Sequence, residues 1–317
     1  MNSGIGRRSF FKRAVAAATF GGGTVLSGKN AFAMHAAGSL LSHEQTGVFP
    51  MESSDYKIGR YKNRITIQYY GLSCFMVTSS TGKRIVMDPF IADRKILFPE
   101  LAKEPADVVT ISCGSYSHCH VFAVGGVPFV YQVTEPAELH GIKFRGVETE
   151  HLKMTDGAIV AAGKNVVVCF EVDGIKLCHL GALGHKLTDE QVNQIGPVDI
   201  LMVPVGGVST LPIEDARAVC KQINPQIIMP MHYRNERALF PEWATVYDFL
   251  SDRPMQTKNS DGQDKKYYQN TLLCDYIVGS NIFEFMKKDG RVELTCPGDK
   301  SQIAAASMNV LVPRCGY

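Results

Sequence analysis

From Arg64 onward the chain is written in short apolar runs punctuated by turn residues, and this rhythm limits the fold more than any other feature. Arg64-Ile65-Thr66-Ile67-Gln68-Tyr69-Tyr70 alternates, Cys74-Phe75-Met76-Val77-Thr78 follows a glycine, and Arg84-Ile85-Val86-Met87 ends at Asp88-Pro89. Runs this brief with a period of two are strands, and Ser79-Ser80-Thr81-Gly82 is turn chemistry, so an antiparallel meander is predicted. Val108-Val109-Thr110-Ile111 then leads into a polar loop from Ser112 to His120. Further strands are predicted at Val166 to Val172 and Ile175 to His179, across an Asp173-Gly174 hairpin turn, and at Ile200 to Val205 and Ile227 to Met231. Helices fit between the later strands. Thr188 before Asp189-Glu190-Gln191 is an N-cap with acids in the first turn, and Ile213, Ala216, Val219 and Ile223 recur at helical spacing before Asn224-Pro225 stops the run. Strands first, then strands alternating with helices, predict sheets sandwiched by helices.

The 317 residues carry 33 Lys+Arg against 31 Asp+Glu, a formal charge of +2, which excludes a general basic surface for nucleic acid. The basic excess is confined to the N-terminus. Arg7-Arg8-Ser9-Phe10-Phe11-Lys12, the weakly hydrophobic stretch Ala14 to Phe20 and the small-residue site Ala31-Phe32-Ala33 resemble a twin-arginine export signal. An amphipathic first helix with two surface arginines is the alternative, but no acid precedes Glu44, which fits export better. Loss of residues 1–33 removes five basic residues and no acid, and leaves a balance of −3. The expectation is a signal over 1–33, an extension over 34–63 and one domain over 64–317, with additions from about residue 236. Its location would be the periplasm or the exterior, and no membrane span would remain after signal removal. Residues 252–266, rich in Asp, Lys, Gln and Asn, are expected to form a surface loop.

An odd count of nine cysteines cannot pair fully within one chain. Cys169 and Cys178 sit in apolar runs and read as small core residues; Cys274, Cys296 and Cys315 are the better disulfide candidates.

Six separated segments occur in a telling order: Gln68 to Phe75, Ile85 to Pro89, Ala106 to His118, Cys178 to His185, Asp199 to Gly207, and Ile228 to Tyr233. Together they resemble the metallo-β-lactamase fold, in its branch of lactonase-like and uncharacterised metal-dependent hydrolases, over roughly residues 64–235. The resemblance implies an α/β fold, an αββα sandwich of two mixed sheets flanked by helices. It also implies a Thr-His-x-His-x-Asp-His loop which, with later histidines and a bridging aspartate, holds two metal ions sharing an activated water. Here that pattern is broken. Cys113, Ser115 and Ser117 stand at ligand positions of the loop and Ala182 at that of the bridging aspartate, while His118, His151 and His232 keep their types.

Two adjacent dications with no anionic ligand repel strongly, so a standard dinuclear hydrolase is disfavoured. Cys113, His118, His151 and His232 are the ligands implied for a single transition metal ion, zinc first, with Cys119 and His120 in reserve. If all four bind, the shell is closed; if Cys113 swings away, three imidazoles and a water remain. The opposing reading is an empty site, because inactive relatives of an enzyme fold often keep some ligand positions. His179 is assigned to supporting the ligands or packing. Ser115 and Ser117 are poor nucleophiles, since no acid in their loop orients His118. Asp88-Pro89 reads as turn chemistry, Gly206-Gly207 as a weak anion nest, and Leu239 to Trp243 as either a specificity loop or packing for an extra helix. Two functions follow: an exported, hydrolase-like protein with one metal acting on a small ester, lactone, amide or phosphoester, or an inactive member of the fold that binds a ligand, metal or partner.

Overall fold

The computed structural model describes residues 64–99, 101, 103–155, 158–258, 264–270, 276–279, 282–295 and 309–313. The chain divides into Met1–Ala33 and Met34–Tyr317, and every described residue belongs to the second unit. The export signal, the extension over 34–63 and the three candidate disulfide cysteines lie outside the described residues.

Strands β1 (Arg64–Gly71), β2 (Cys74–Thr78) and β3 (Arg84–Met87) form the predicted meander, and β4 (Val108–Thr110) and β5 (Phe129–Tyr131) add to it in parallel. Beyond them run β6 (Ala137–Leu139), β7 (Ile142–Thr155), β8 (Ala158–Val172), β9 (Ile175–His179), α1 (Asp189–Ile195) and β10 (Ile200–Pro204). The chain continues through α2 (Ile213–Ile223), β11 (Ile227–Met231), α3 (Val246–Leu250), β12 (Ser251–Lys258), β13 (Asp264–Asn270), β14 (Tyr276–Gly279), β15 (Ile282–Lys288), β16 (Arg291–Thr295) and β17 (Asn309–Pro313). One sheet has the order β16-β15-β1-β2-β3-β4-β5 and the other β14-β17-β11-β10-β9-β8-β7-β6. Each mixes parallel and antiparallel pairs, so the architecture is the expected sandwich of two mixed sheets with flanking helices.

Three apolar layers hold it together. Alternate residues of both sheets, among them Ile65, Ile67, Phe75 and Val77 facing Val168, Phe170, Met202 and Met229, fill the space between them. The opposite residues of the second sheet, such as Val167, Leu201 and Val203, pack on Ala216, Val219 and Cys220 of α2 and on Phe249 and Leu250 of α3. β10 and β11 are buried at every position because they are covered on both faces, which is why they read as continuous apolar runs. Over the outer face of the first sheet lie Phe90, Ile96, Phe98 and Leu101 together with Ala238, Phe240 and Trp243. Thr188 caps α1 with a full capping box: its side chain accepts from the Gln191 N–H while the Gln191 side chain answers the Thr188 N–H.

The last quarter of the chain departs from the sequence reading. β12 and β13, over the stretch expected to be a surface loop, form a two-stranded antiparallel ribbon. Backbone pairing needs no apolar face, so a polar composition does not forbid it. β15 pairs with β1 and β17 with β11, so described strands beyond residue 236 extend both sheets. No helix among the described residues is long and apolar enough to cross a membrane.

Candidate metal centre

The parallel strands β3, β4, β9, β10 and β11 release their chains at carboxyl ends, and those exits carry the site residues: Asp88, the 112–118 loop, His179 with Gly181 and Ala182, Gly206, and His232. Crevices outside strand carboxyl ends are where open α/β sheets place ligands. His151 arrives differently, at a bulge where the β7–β8 register shifts, and it bridges to Leu183.

Asp88, read from sequence as turn chemistry, is the organiser of the site. It is fully buried. One carboxylate oxygen accepts from the Ser112 N–H at 2.8 Å; the other accepts from the Ser112 hydroxyl and from His118 Nδ1, both at 2.6 Å. Burial on its own would raise this carboxyl, but the His118 and His179 imidazoles and the hydrogen bonds from His118 and Ser112 bring it below the ordinary aspartate value. The acid that orients His118, absent from its own loop, therefore comes from the end of β3. Pairing Nδ1 with Asp88 leaves Nε2 as the His118 nitrogen available to the site.

His179 is buried behind this pair, where Nε2 donates to the Ser73 carbonyl at 2.8 Å and Nδ1 accepts from the Gly181 N–H at 3.2 Å. Both nitrogens are thereby used within the protein. Asn165, with no exposed surface, fixes the next turn: Nδ2 donates to Thr149 Oγ1 and the Leu180 carbonyl, and Oδ1 accepts from the Ala182 N–H. Ala182 thus has a pinned backbone and a side chain that offers no ligand. Gly181 is required there, for at φ +59° an added Cβ would stand 2.1 Å from the Ser112 Cβ.

His232 is buried in the left-handed region, at φ +54°, with Leu72 at +49° and Asp88 at +46°. The His232 N–H donates to the Leu72 carbonyl at 2.8 Å, so two of these unusual backbones support one another. Gly206 lets the His232 carbonyl approach, since its Cβ would fall 2.1 Å from that oxygen, whereas Gly207, at φ +71°, has open space where a Cβ would stand. The His232 imidazole stacks on Trp243 at 4.2 Å and 28°, and on its other side on His118 at 5.1 Å and 22°. Phe240 continues the column beyond Trp243 at 4.1 Å, and the Lys95 ammonium caps it 5.5 Å from the Phe240 centroid. Trp243 is consequently a wall of the site, set by the Leu239 to Trp243 segment.

His118 and His232 are ring neighbours, and His151 lies close enough to couple electrostatically with both. His151 is pushed down to about 4 by burial and then by the charge of His118; His232 is held well below the usual histidine range by burial and by both other histidines. Neutral rings are the metal-binding form. His232 Nδ1 is buried with no hydrogen-bond partner, a polar atom left without an acceptor or donor to answer it. Cys113 is buried beside them as a thiol raised to about 12, first by desolvation and then by Asp88. The oxygens of Ser115 and Ser117 lie 3.1 Å from each other. Among the described residues the carboxylate at the centre, Asp88, is already committed to Ser112 and His118. Among the described residues, no three His, Cys, Asp or Glu side chains are gathered at coordinating distance. Of the two stacked rings, His118 is held in plane by Asp88, while His232 Nδ1 has no hydrogen bond to hold it.

Two packed mixed sheets, helices on the outside and a histidine cluster at the strand carboxyl ends define a metallo-β-lactamase-fold protein. The chain belongs to the β-lactamase superfamily domain family, which matches residues 66–232. Its relatives include a UPF0173 metal-dependent hydrolase of Pelotomaculum thermopropionicum, 24% identical over 192 residues covering 53% of this chain and 83% of that one. The UPF0173 metal-dependent hydrolase of Thermoplasma volcanium is 21% identical, covering 62% and 90%. Among solved structures, a Thermotoga maritima protein described as a candidate zinc-dependent hydrolase of the metallo-β-lactamase superfamily superposes with TM-score 0.54 at 32% identity, covering 79% of this chain and all of that one.

Proposed function

We propose that this chain is an exported, metal-dependent hydrolase-like protein that holds one transition metal ion, zinc first, on His118, His151 and His232. It would act on a small ester, lactone, amide or phosphoester. The observation that carries the reading is the Asp88–His118 pair: a buried carboxylate fixes the tautomer and plane of an imidazole whose free nitrogen belongs to the same cluster as two neutral imidazoles. That arrangement is how metal-ligating histidines are commonly supported, and relatives of the chain are named metal-dependent hydrolases. Such an ion lowers the pKa of a bound water and polarises the bond to be cleaved. The protein's part is to keep His151 and His232 neutral, to hold His118 through Asp88 and Ser112, and to exclude water from one face of His232 with Trp243.

A second reading, a non-hydrolytic binding protein, is favoured by the stacked rather than convergent rings and by the lost ligands at Ser115, Ser117 and Ala182. Metal analysis of the exported protein, purified without chelator, separates the two. One equivalent retained in the wild type and lost in separate His118→Ala, His151→Ala and His232→Ala variants supports the centre. Retention by all three variants, or no metal in the wild type, overturns it.

A further inference from the structure

Away from the histidine cluster, on the face of the second sheet that packs against the helices, Cys169 of β8 and Cys178 of β9 are direct cross-strand partners with sulfurs 3.7 Å apart. The hairpin register makes this pair special. Asp173 and Gly174 both have positive φ, forming a two-residue turn whose flanking pair, Val172 and Ile175, takes both ladder hydrogen bonds. Hydrogen-bonded and non-hydrogen-bonded pairs alternate from there, which places Cys169 and Cys178 on a non-hydrogen-bonded pair. Lys176 confirms the phase, since its N–H and carbonyl turn away from β8 to bond Asp199. At such pairs the Cα atoms are roughly 4.5 Å apart, inside the range a disulfide spans.

We infer that Cys169 and Cys178 form a redox-active dithiol that closes to a cross-strand disulfide when met by a small disulfide of the oxidised-glutathione class. Arg145, opposite Cys169 on β7, is exposed and reaches the Ile195 carbonyl at the end of α1. The contact with Cys178, against the opposing effect of burial, and then the Arg145 guanidinium hold Cys169 below the ordinary thiol value, which makes it the attacking sulfur. Its thiolate displaces one glutathione thiolate and forms a mixed disulfide. Cys178, on losing its proton, attacks the Cys169 sulfur and displaces the second. Two protein S–H bonds are exchanged for one S–S bond, and the two electrons and two protons end on two glutathione thiols. The pair is independent of the hydrolase reading, and the same two residues, read from sequence as small core residues, acquire a chemistry from their register.

The full chain is equilibrated in glutathione buffers from reducing to oxidising, quenched with acid, alkylated and digested with trypsin. Cleavage after Lys164, Lys176 and Lys186 places the two cysteines on separate peptides, 165–176 and 177–186. The expected result is a linked pair that accumulates as the buffer becomes oxidising and separates into two alkylated peptides after reduction. Both peptides singly alkylated at every ratio, or either linked elsewhere, overturns the inference, and this needs no variant. In Cys178→Ser the expected product is glutathione trapped on Cys169; an unmodified Cys169 overturns its assignment as the attacking thiol.

Discussion

Replacing Asp88 by Asn tests the organisation of the centre, because amide and carboxylate have one shape and opposite hydrogen-bond capacity on one arm. The carboxylate accepts from three donors: the Ser112 N–H, the Ser112 hydroxyl and His118 Nδ1. The Ser112 N–H cannot invert, so the amide oxygen must stay with it and the amide NH2 must face Ser112 Oγ and His118 Nδ1. Both of those groups can adapt, the hydroxyl by rotating and the imidazole by moving its proton to Nε2. Asn also tolerates the left-handed backbone at φ +46°. The fold cost is therefore modest, about 1–2 kcal/mol for losing charge-assisted bonds. Asp88→Ala instead strands three buried donors at about 1–3 kcal/mol each and loses much of a typical domain stability of about 5–15 kcal/mol. What Asp88→Asn removes is the lone pair on Nε2, and with it about 10–100-fold in metal affinity. Urea unfolding followed by circular dichroism gives the first quantity, zinc titration against a chromophoric chelator the second, and long-range proton–nitrogen NMR reads the His118 tautomer without metal. Unchanged zinc affinity in Asp88→Asn, or a proton still on Nδ1, would refute the reasoning.

Three other predictions concern the same neighbourhood. His151 and His232 have folded values depressed below the unfolded one near 6.5, so in that window the unfolded chain binds more protons. Stability of the metal-free protein should be full above about pH 6.5 and fall as the pH drops toward the folded values, by up to about 1.4 kcal/mol per pH unit for each histidine, less for the half-buried His151; a flat profile from pH 7 to 5 in urea unfolding contradicts this. Trp243, the sole tryptophan, stacks on His232, so cobalt should quench its fluorescence in the wild type and not in His232→Ala; equal quenching in both would remove His232 from the centre. Gly181→Ala should destabilise by about 2–5 kcal/mol in thermal or urea unfolding, from its positive φ and the clash with Ser112; a variant as stable as wild type would show that the 112 loop yields freely.

The strands of the first meander and those from Val166 to Met231, the Asp173-Gly174 turn, the cap at Thr188 and the stop at Asn224-Pro225 were legible because each is a local device, a matter of period or of one side chain answering a neighbouring backbone, whereas β5, β6 and the His151-bearing β7 went unread. The three histidines were singled out through resemblance, as was the expectation that Ser115, Ser117 and Ala182 stand at substituted ligand positions. Asp88 was misread because Asp-Pro is common turn chemistry. Its partner His118 is 30 residues away, so nothing local betrays the bond. A buried acid closing an apolar strand was the signal available.

Sequence alone was enough for the first meander, for the alternating strands and helices from Val166 to Met231 and for the balance of charge, since these follow from local pattern and composition. Tertiary structure decided that Asp88 orients His118, that Trp243 walls His232, that described strands beyond residue 236 extend both sheets, and that two cysteines share one register position. Each of these is a contact between segments far apart in sequence, and directional hydrogen bonds, ring stacking and strand pairing exist only after the sheets have been laid against one another.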